Sequence, residues 1–493
     1  MASKRGLGVA GRGISVTAAG QSFRLLLSLG SAAILARLLL PSDFGLIAAV
    51  APVVTFAELI RDLGFAQAIV QRKQVDSQHL TALFILMVGL TSLLCAILIT
   101  LSGAIGRFYG DPRIGSILTV STGGILLGAI GSQGIAILNR ELKFPTIVLI
   151  DVTQAITNLA VSASVAALTG SYWSLVAGQL AMNAVAAGLS LSLSRMTWVR
   201  PSFDQSLFSI VRFGAGVSLS NVLDYISRNA DNVLIGRYQG AAALGLYDRA
   251  YKLMLLPMWQ ITFPVSRVLV PILSRTEDDQ AYSSIYARAV TLLAAATQPM
   301  LIALVCNPSA AVRVLLGERW SASAPIFAWL GAVAVHQVIT TSHGWLYVSQ
   351  GRARDFAKAA TIGCLTSVSS FVIGLPWGPV GVAMAYAIGD YIVRFPFAWL
   401  FVGRRGPIRT SSLLALLAPH VVAAAAAALA VTLAATALKA SPLPTLAASG
   451  VISYAAYFGA LACFPGKRVT LAEAVDRMLS VLRRDSQLAT RQS

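Results

Sequence analysis

Long apolar runs alternate with short polar breaks along nearly the whole chain. A helix needs about 20 apolar residues to cross about 30 Å of hydrocarbon. That ruler finds about fourteen spans, at 13–39, 43–66, 80–106, 114–139, 145–168, 171–194, 208–235, 241–273, 284–306, 323–348, 355–374, 379–402, 412–436 and 443–464. The longest breaks are only about 15 residues, within the range of ordinary connections. The pattern predicts an all-α, polytopic integral membrane protein. Residues 1–12 carry Lys4, Arg5 and Arg12 and lead into a span of full membrane length with no small-residue cleavage site, so the first helix is expected to stay.

Composition agrees with the pattern. The 493 residues are 56% apolar and 12% charged, with a mean hydropathy of +0.73, whereas soluble domains carry about 25% charged residues. A soluble enzyme, a disordered scaffold and a secreted disulfide domain are excluded. The net charge of +18 follows from topology, because basic loops resist translocation. With the N-terminus inside, cytoplasmic segments hold about 23 basic residues, among them Arg72, Lys73, Arg140, Lys143, Arg352, Arg354, Lys358, Arg404 and Arg405, against about 6 outside. Both termini are therefore expected in the cytoplasm, with anionic lipids, not nucleic acid, facing the charge. In the tail, Leu471, Val475, Met478, Leu479 and Leu482 recur at helical spacing among Lys467, Arg468, Arg477, Arg483 and Arg484, the pattern of a helix lying on the membrane surface. Cys95, Cys306, Cys364 and Cys463 stand singly in apolar runs and read as small core hydrophobes, with no metal or disulfide pattern.

The chain also repeats itself. Ala36 to Leu46 aligns without gaps on Gly236 to Leu246 at an offset of 200, matching Arg37 with Arg237, Gly45 with Gly245 and Leu46 with Leu246. Two hundred residues hold six spans, an even number, so the halves enter the membrane in the same direction and are related by an axis along its normal. The expected organisation is a cytoplasmic N-terminus (1–12), an N-lobe of six helices (13–200), a C-lobe of six (201–402), an extra pair (403–464) and a basic amphipathic tail (465–493).

Charges inside spans are costly and mark functional candidates. Gln21, Arg24, Ser28 and Ser31 form one polar stripe, and the offset maps them onto Asn221, Asp224, Arg228 and Asp231, also one stripe. Asp224 and Arg228 can neutralise each other, but Arg24 has no acid three or four residues away. It asks for an external anion, or for Glu58 or Asp62 on the next helix. Glu58 with Arg61, Asp248 with Lys252 and Asp390 with Arg394 stand at helical pair spacing and read as self-neutralising. His336, Thr340 and His343 share a face of the tenth span. Without nearby carboxylates in the sequence they read as hydrogen-bonded packing, a proton relay or sugar contact being the alternatives. Asp151 stands alone in the fifth span, a candidate for protonation, and His420 reads as a packing residue.

Pro257, Pro264 and Pro271 lie seven apart in the eighth span, each removing a backbone bond; a hinge and a set of tolerated kinks are the two readings. Gly124 and Gly128 form a GxxxG pair, which implies close helix packing. Gly6, Gly8 and Gly11 satisfy GxGxxG but lack the strand and βαβ unit of a dinucleotide site. Asp43-Phe44-Gly45 lacks a kinase context. No Walker A lysine is present, so no nucleotide or other cofactor is expected.

ARLLLPSDFGLIAAV (36–50), DLGFAQAIVQRK (62–73) and DNVLIGRYQGAAALGLYDRAYKLMLLP (231–257) resemble the polysaccharide and O-antigen (Wzx-like) transporters of the multidrug/oligosaccharidyl-lipid/polysaccharide exporter superfamily. The resemblance covers most of the first twelve spans and carries no short catalytic signature. It implies a V-shaped, alternating-access flippase of the bacterial inner membrane, not an enzyme, moving a polyprenyl-diphosphate-linked oligosaccharide outward alongside polysaccharide polymerase and export proteins. Such an anionic head asks for basic groups in a wet cavity. Arg24 and Arg228 are the candidates, supported by Arg249 and Lys252 with Gln21 and Asn221 beside them; Asp224, Asp231 and Asp151 are the candidate coupling carboxylates. A multidrug antiporter on the same fold would want an acidic or aromatic cavity instead. A membrane polysaccharide polymerase would want a large catalytic loop.

Overall fold

In the computed structural model, residues 23–24, 26–28, 30–62, 76–202, 205–437 and 441–466 are described; the side chains of 205–224, 226–228, 257, 436 and 437 lie outside that description. The described residues are helical, with no strand among them. The elements are α1 (Leu26–Leu38), α2 (Pro41–Asp62), α3 (Ser77–Tyr109), α4 (Pro112–Arg140), α5 (Phe144–Thr169), α6 (Trp173–Ser194) and α7 (Gln205–Pro257), followed by a π-helical segment (Met258–Thr262) and α8 (Phe263–Ser274). Then come α9 (Asp279–Val305), α10 (Pro308–Leu315), a 3₁₀ segment (Glu318–Ser323), α11 (Ala324–Thr340), α12 (His343–Ser349), α13 (Ala353–Gly374) and α14 (Gly378–Gly389). A second π segment (Asp390–Arg394), α15 (Phe395–Val402), α16 (Thr410–Ala437) and α17 (Pro442–Ala462) complete the order.

Eleven described stretches are long and apolar enough to cross a membrane. Two of these, of 46 and 50 residues, are twice the length that a crossing needs, and each is interrupted. The first breaks at Gly240, whose φ of 80° and ψ of 176° leave helical space, a conformation open to glycine. The second breaks at the 3₁₀ turn Leu375–Trp377. With those two divided and the shorter α1 added, the count of about fourteen returns. The chain is a multi-pass membrane protein. Large apolar side chains point outward, as Leu168 (85% exposed) and Val451 (71%) do, which suits a lipid solvent.

The chain forms two compact units, 1–248 and 249–493, that divide within α7. In the first, small residues bring helices together. A Cβ added at Gly131 would press on the Ala187 backbone, one at Gly134 would meet the Ser190 carbonyl, and one at Gly178 would overlap the Ser162 hydroxyl. Such contacts let dispersion act between backbones where no hydrophobic force separates helix from lipid. Polar side chains close the remaining backbone groups: Asn183 Nδ2 donates to the Gly124 carbonyl at 3.1 Å and Gln133 Nε2 to the Leu80 carbonyl at 2.6 Å. Between α3 and α4, Gly110 takes a φ of 73° as the αL cap, and Asp111 caps α4 by accepting the Arg113 N–H at 3.0 Å.

In the second unit α9 packs against α11, α16 and α17. Pro299 inside α9 cannot donate to the Ala295 carbonyl, and α17 docks polar groups along this stretch. The Ser453 hydroxyl donates to the Pro299 carbonyl at 2.7 Å, the Tyr454 hydroxyl to the Ala296 carbonyl at 2.9 Å, and the Tyr457 hydroxyl to Gln298 Oε1 at 2.7 Å. His420 of α16 joins through Nδ1, 2.8 Å from the Tyr457 oxygen. His420 thus packs α16 against α17, as its isolated position predicts. The last helix pair is bound to the rest of its unit by buried hydrogen bonds, each raising the cost of separation where water is absent.

The four cysteines are free, but Cys463 is exposed at the end of α17 and is not part of a core. An amphipathic eight-residue helix, α10, and the 3₁₀ segment fill a connection that the sequence pattern reads as plain loop.

Candidate functional site

The first unit builds its polar features around the repeated segments. Asp43 at the start of α2 accepts the Leu40 N–H at 2.9 Å, closing the turn from α1. Just beyond it, Gly45 crosses the equivalent stretch of α7. A Cβ at Gly45 would overlap the Ala241 carbonyl, and one at Gly245 would overlap the Pro41 carbonyl and come within 3.0 Å of the Gly45 nitrogen. The two glycines paired by the sequence repeat are therefore the two at which the repeated segments touch, backbone on backbone. Nearby, the Arg237 guanidinium lies 5.6 Å from the Phe108 ring and 5.4 Å from its neighbour Tyr238, both cation–π distances. Further along, the Tyr225 hydroxyl donates to the Pro52 carbonyl.

Arg24 does find a carboxylate, neither Glu58 nor Asp62 but Asp151 of α5: Nη1 stands 3.4 Å from Oδ2, with side-chain exposures of 56% and 31%. Asp151 remains the one charged residue of its span, as expected; its partner comes from a segment four spans away, beyond the reach of spacing rules. The contact is long, and the guanidinium side is more than half exposed. Among the described residues, Asp151 is the partner that the guanidinium shows.

Asp231 is buried and saturated, accepting the Tyr247 hydroxyl at 3.0 Å and the Asn232 N–H at 2.8 Å. The Tyr247 bond ties the two sides of the Gly240 break together. Arg249 is half-buried and Lys252 exposed, on the part of α7 that belongs to the second unit. Asn221, Asp224 and Arg228 fall on α7, with side chains outside the described residues, and Gln21 lies outside them altogether. Gly124 and Gly128 do pack closely, against Asn183 and against Arg61, whose Nη1 would lie 2.5 Å from a Cβ at Gly128. The pair thus makes room for a guanidinium that reaches the Ile125 carbonyl at 3.3 Å.

The prolines of the eighth span have a visible consequence. Pro264 follows the π segment Met258–Thr262, whose wider turn relieves the clash between a proline ring and the carbonyl four residues before it. Pro271 sits inside α8.

The second unit holds a cluster that spacing gives only in part. Asp390 Oδ1 takes Arg394 Nη1 at 3.2 Å, the pairing expected from i,i+4 spacing. Asp390 Oδ2 lies 2.8 Å from His336 Nε2. The tenth-span histidines therefore do have a carboxylate, supplied by the twelfth span, which corrects the packing reading for His336. His343 is buried edge-on to Trp399, ring centroids 3.9 Å apart, and so is packed as expected, but its Nε2 has no hydrogen-bond partner among the described residues. The missed signal was the Phe395-Pro396 pair directly after Arg394, which repeats the Phe263-Pro264 context of the first π segment.

Comparisons place this architecture. The profile of the family described as polysaccharide biosynthesis protein matches residues 34–325. Lipopolysaccharide biosynthesis protein WzxC of Escherichia coli (strain K12) is 24% identical over 368 residues, 73% of this chain and 74% of that protein. Teichuronic acid biosynthesis protein TuaB of Bacillus subtilis (strain 168) is 27% identical over 351 residues, 70% and 72% of the two chains. Among solved structures, the lipid II flippase MurJ in an inward closed conformation superimposes with a TM-score of 0.74 at 14% identity, covering 92% of this chain and 99% of that one. This last likeness shows the fold.

Proposed function

This chain belongs to the polysaccharide biosynthesis protein family, and we propose that within it the protein is a flippase for a polyprenyl-diphosphate-linked oligosaccharide, driven by an ion gradient or the membrane potential. The names of WzxC and TuaB support a role in polysaccharide biosynthesis, and a fold shared with the lipid II flippase MurJ suits a lipid-linked substrate. Arg24 carries the reading on this chain: a guanidinium within the first expected span whose contact, among the described residues, is a long and partly exposed one to Asp151. It can exchange that contact for phosphate oxygens, which its planar fork holds bidentately. Asp151 then serves as a placeholder that keeps the site neutral when no diphosphate is bound. Arg228, Arg249 and Lys252, with Gln21 and Asn221, belong to the proposed anion path; Asp224 and Asp231 are proposed with Asp151 as coupling carboxylates, and Pro257, Pro264 and Pro271 as a hinge. The six-plus-six division at 200/201, cytoplasmic termini, an inner-membrane location, a carrier without catalysis, and action beside polymerase and export proteins are parts of the same proposal, supported by the basic-loop asymmetry and the repeat.

The test is flipping of a short-chain polyprenyl-diphosphate oligosaccharide in proteoliposomes. Arg24→Lys keeps the charge but gives up one of two charge-assisted hydrogen bonds, worth about 1.5–3 kcal/mol, so the rate should fall about 10- to 150-fold with an unchanged melting temperature. A wild-type rate in Arg24→Lys, or full rescue of Arg24→Ala by Asp151→Asn, would reduce Arg24 to an ion-pair partner and overturn the reading.

A further inference from the structure

The His336–Asp390–Arg394 cluster does more than neutralise itself. Asp390 and Arg394 already balance at i,i+4 across the π segment, so a third ionisable group is not needed for charge. Nevertheless His336 stands with Nε2 2.8 Å from Oδ2, the two side chains 11% and 3% exposed. The contact is an ion-pair distance without a hydrogen bond, and neither atom has a hydrogen-bond partner among the described residues. Buried polar atoms are rarely left so, and exceptions ask for an explanation. A π segment in an otherwise α-helical span is a further mark of a functional position.

The other imidazole nitrogen is equipped for two states. Nδ1 lies 3.2 Å from the Thr340 hydroxyl oxygen, and that hydroxyl also lies 3.1 Å from the His336 carbonyl. With a neutral ring, Nε2–H faces Asp390 and the Thr340 hydroxyl turns its hydrogen to Nδ1. When a proton arrives at Nδ1, the ring becomes imidazolium, Nδ1–H donates to Thr340, and the threonine hydrogen turns to the His336 carbonyl. One proton enters, no covalent bond is broken, and the Nδ1 and Thr340 donors each keep an acceptor.

The surroundings suit a gated site. Tyr391 and Phe395 stand edge-on to the imidazole, with ring centroids 4.6 and 4.8 Å away. Arg394 also donates to the Tyr386 hydroxyl at 3.1 Å. The other ionisable groups facing the cluster are His343 of α12, towards His336, and Tyr251 of α7, towards Arg394; α13 brings Gly363 alongside the Arg394 side chain. The cation of Arg394 and the anion of Asp390 thus flank an imidazole enclosed by aromatic rings and still slightly accessible.

We propose that His336, with Asp390 as counter-ion and Thr340 as a switchable donor, is a proton-binding site, and that its loading couples the second unit to a proton gradient. The coupling half rests on the flippase reading; the binding half does not. Both are tested on the full chain in nanodiscs or proteoliposomes. The protein has four histidines, so ¹⁵N-imidazole magic-angle-spinning spectra resolve into few signals that single substitutions assign. The proposal requires the His336 signals to move from neutral to cationic across about pH 5 to 8, to disappear in His336→Gln, and to change at Nδ1 in Thr340→Val, a variant that replaces the hydroxyl with a methyl group. In flipping assays, a coupled proton shifts the substrate distribution about tenfold per pH unit of gradient, and His336→Gln should abolish that dependence. A His336 ring of fixed protonation over the range overturns the binding site. A titrating ring with gradient-indifferent flipping in the wild type overturns the coupling. No flipping at all beside a titrating ring overturns the flippase reading while leaving the proton site in place.

Discussion

Alanine at Gly45 or Gly245 should force apart the crossing between the two repeated segments. At each position the added methyl meets a backbone carbonyl, Ala241 for Gly45 and Pro41 for Gly245, so no side-chain rotation can relieve the overlap. Carbon and oxygen must recover ordinary contact at about 3.5 Å or more, and only movement of a whole helix achieves that. Overpacking costs about 1–3 kcal/mol where neighbours can adjust; with backbone on both sides the upper end applies. A change of that size moves a two-state equilibrium about 5- to 150-fold, away from the conformation in which the segments touch. Gly89 provides the control, since nothing lies within 4 Å of its Cβ position on α3 and alanine there should gain about 1 kcal/mol of helix propensity. The assay is disulfide cross-linking between Ser42→Cys and Ala242→Cys in a chain freed of its four native cysteines, read beside the melting temperature. Gly45→Ala and Gly245→Ala should each turn a largely cross-linkable population into a minority, and Gly89→Ala should leave it unchanged. Undiminished cross-linking and melting temperature in both crossing variants would refute the argument.

Two further outcomes follow from single side chains. Burial of the Tyr457 hydroxyl between Gln298 and His420 means that Tyr457→Phe leaves two polar partners short of a bond, a cost of about 1–3 kcal/mol, to be read as a lower melting temperature in detergent; an unchanged value would show that the network contributes nothing. Asp111 lies between two spans, and the Arg113 side chain and N–H hold its carboxyl below the usual range. Its cap therefore stabilises fully above the unfolded value of about 4 and is lost as pH falls below that. Asp111→Ala should cost about 1 kcal/mol near neutrality and flatten the acid limb of the melting-temperature profile; parallel profiles for the two proteins would dismiss the linkage.

The spans were legible because bilayer thickness fixes their length. The run expected at 355–374 is the helix Ala353–Gly374, and the run at 114–139 is Pro112–Arg140. The repeat was legible as well, since Gly45 and Gly245 match in sequence for the reason that each makes room for the other's segment. What periodicity could not supply were partners across helices. Arg24 reaches Asp151 and His336 reaches Asp390, and each pair joins spans whose faces are set by tertiary packing, not by local spacing. The α10 helix escaped for another reason: at eight residues it is shorter than any ruler set by membrane thickness.

One local rule does connect sequence to the second unit's chemistry. Both π segments, Met258–Thr262 and Asp390–Arg394, occupy the five residues before a Phe-Pro pair. In an α-helix the proline ring collides with the carbonyl four residues earlier, and a wider turn avoids that collision while keeping the helix continuous. One residue of altered winding turns everything on one side of the bulge by about 100° relative to the other. In the first case this reorients an apolar stretch between prolines. In the second it sets the direction of the turn that ends in Asp390 and Arg394, so Pro396 helps decide that the carboxylate meets an imidazole two spans away. A residue with no ionisable group thereby contributes to where a proton can be held.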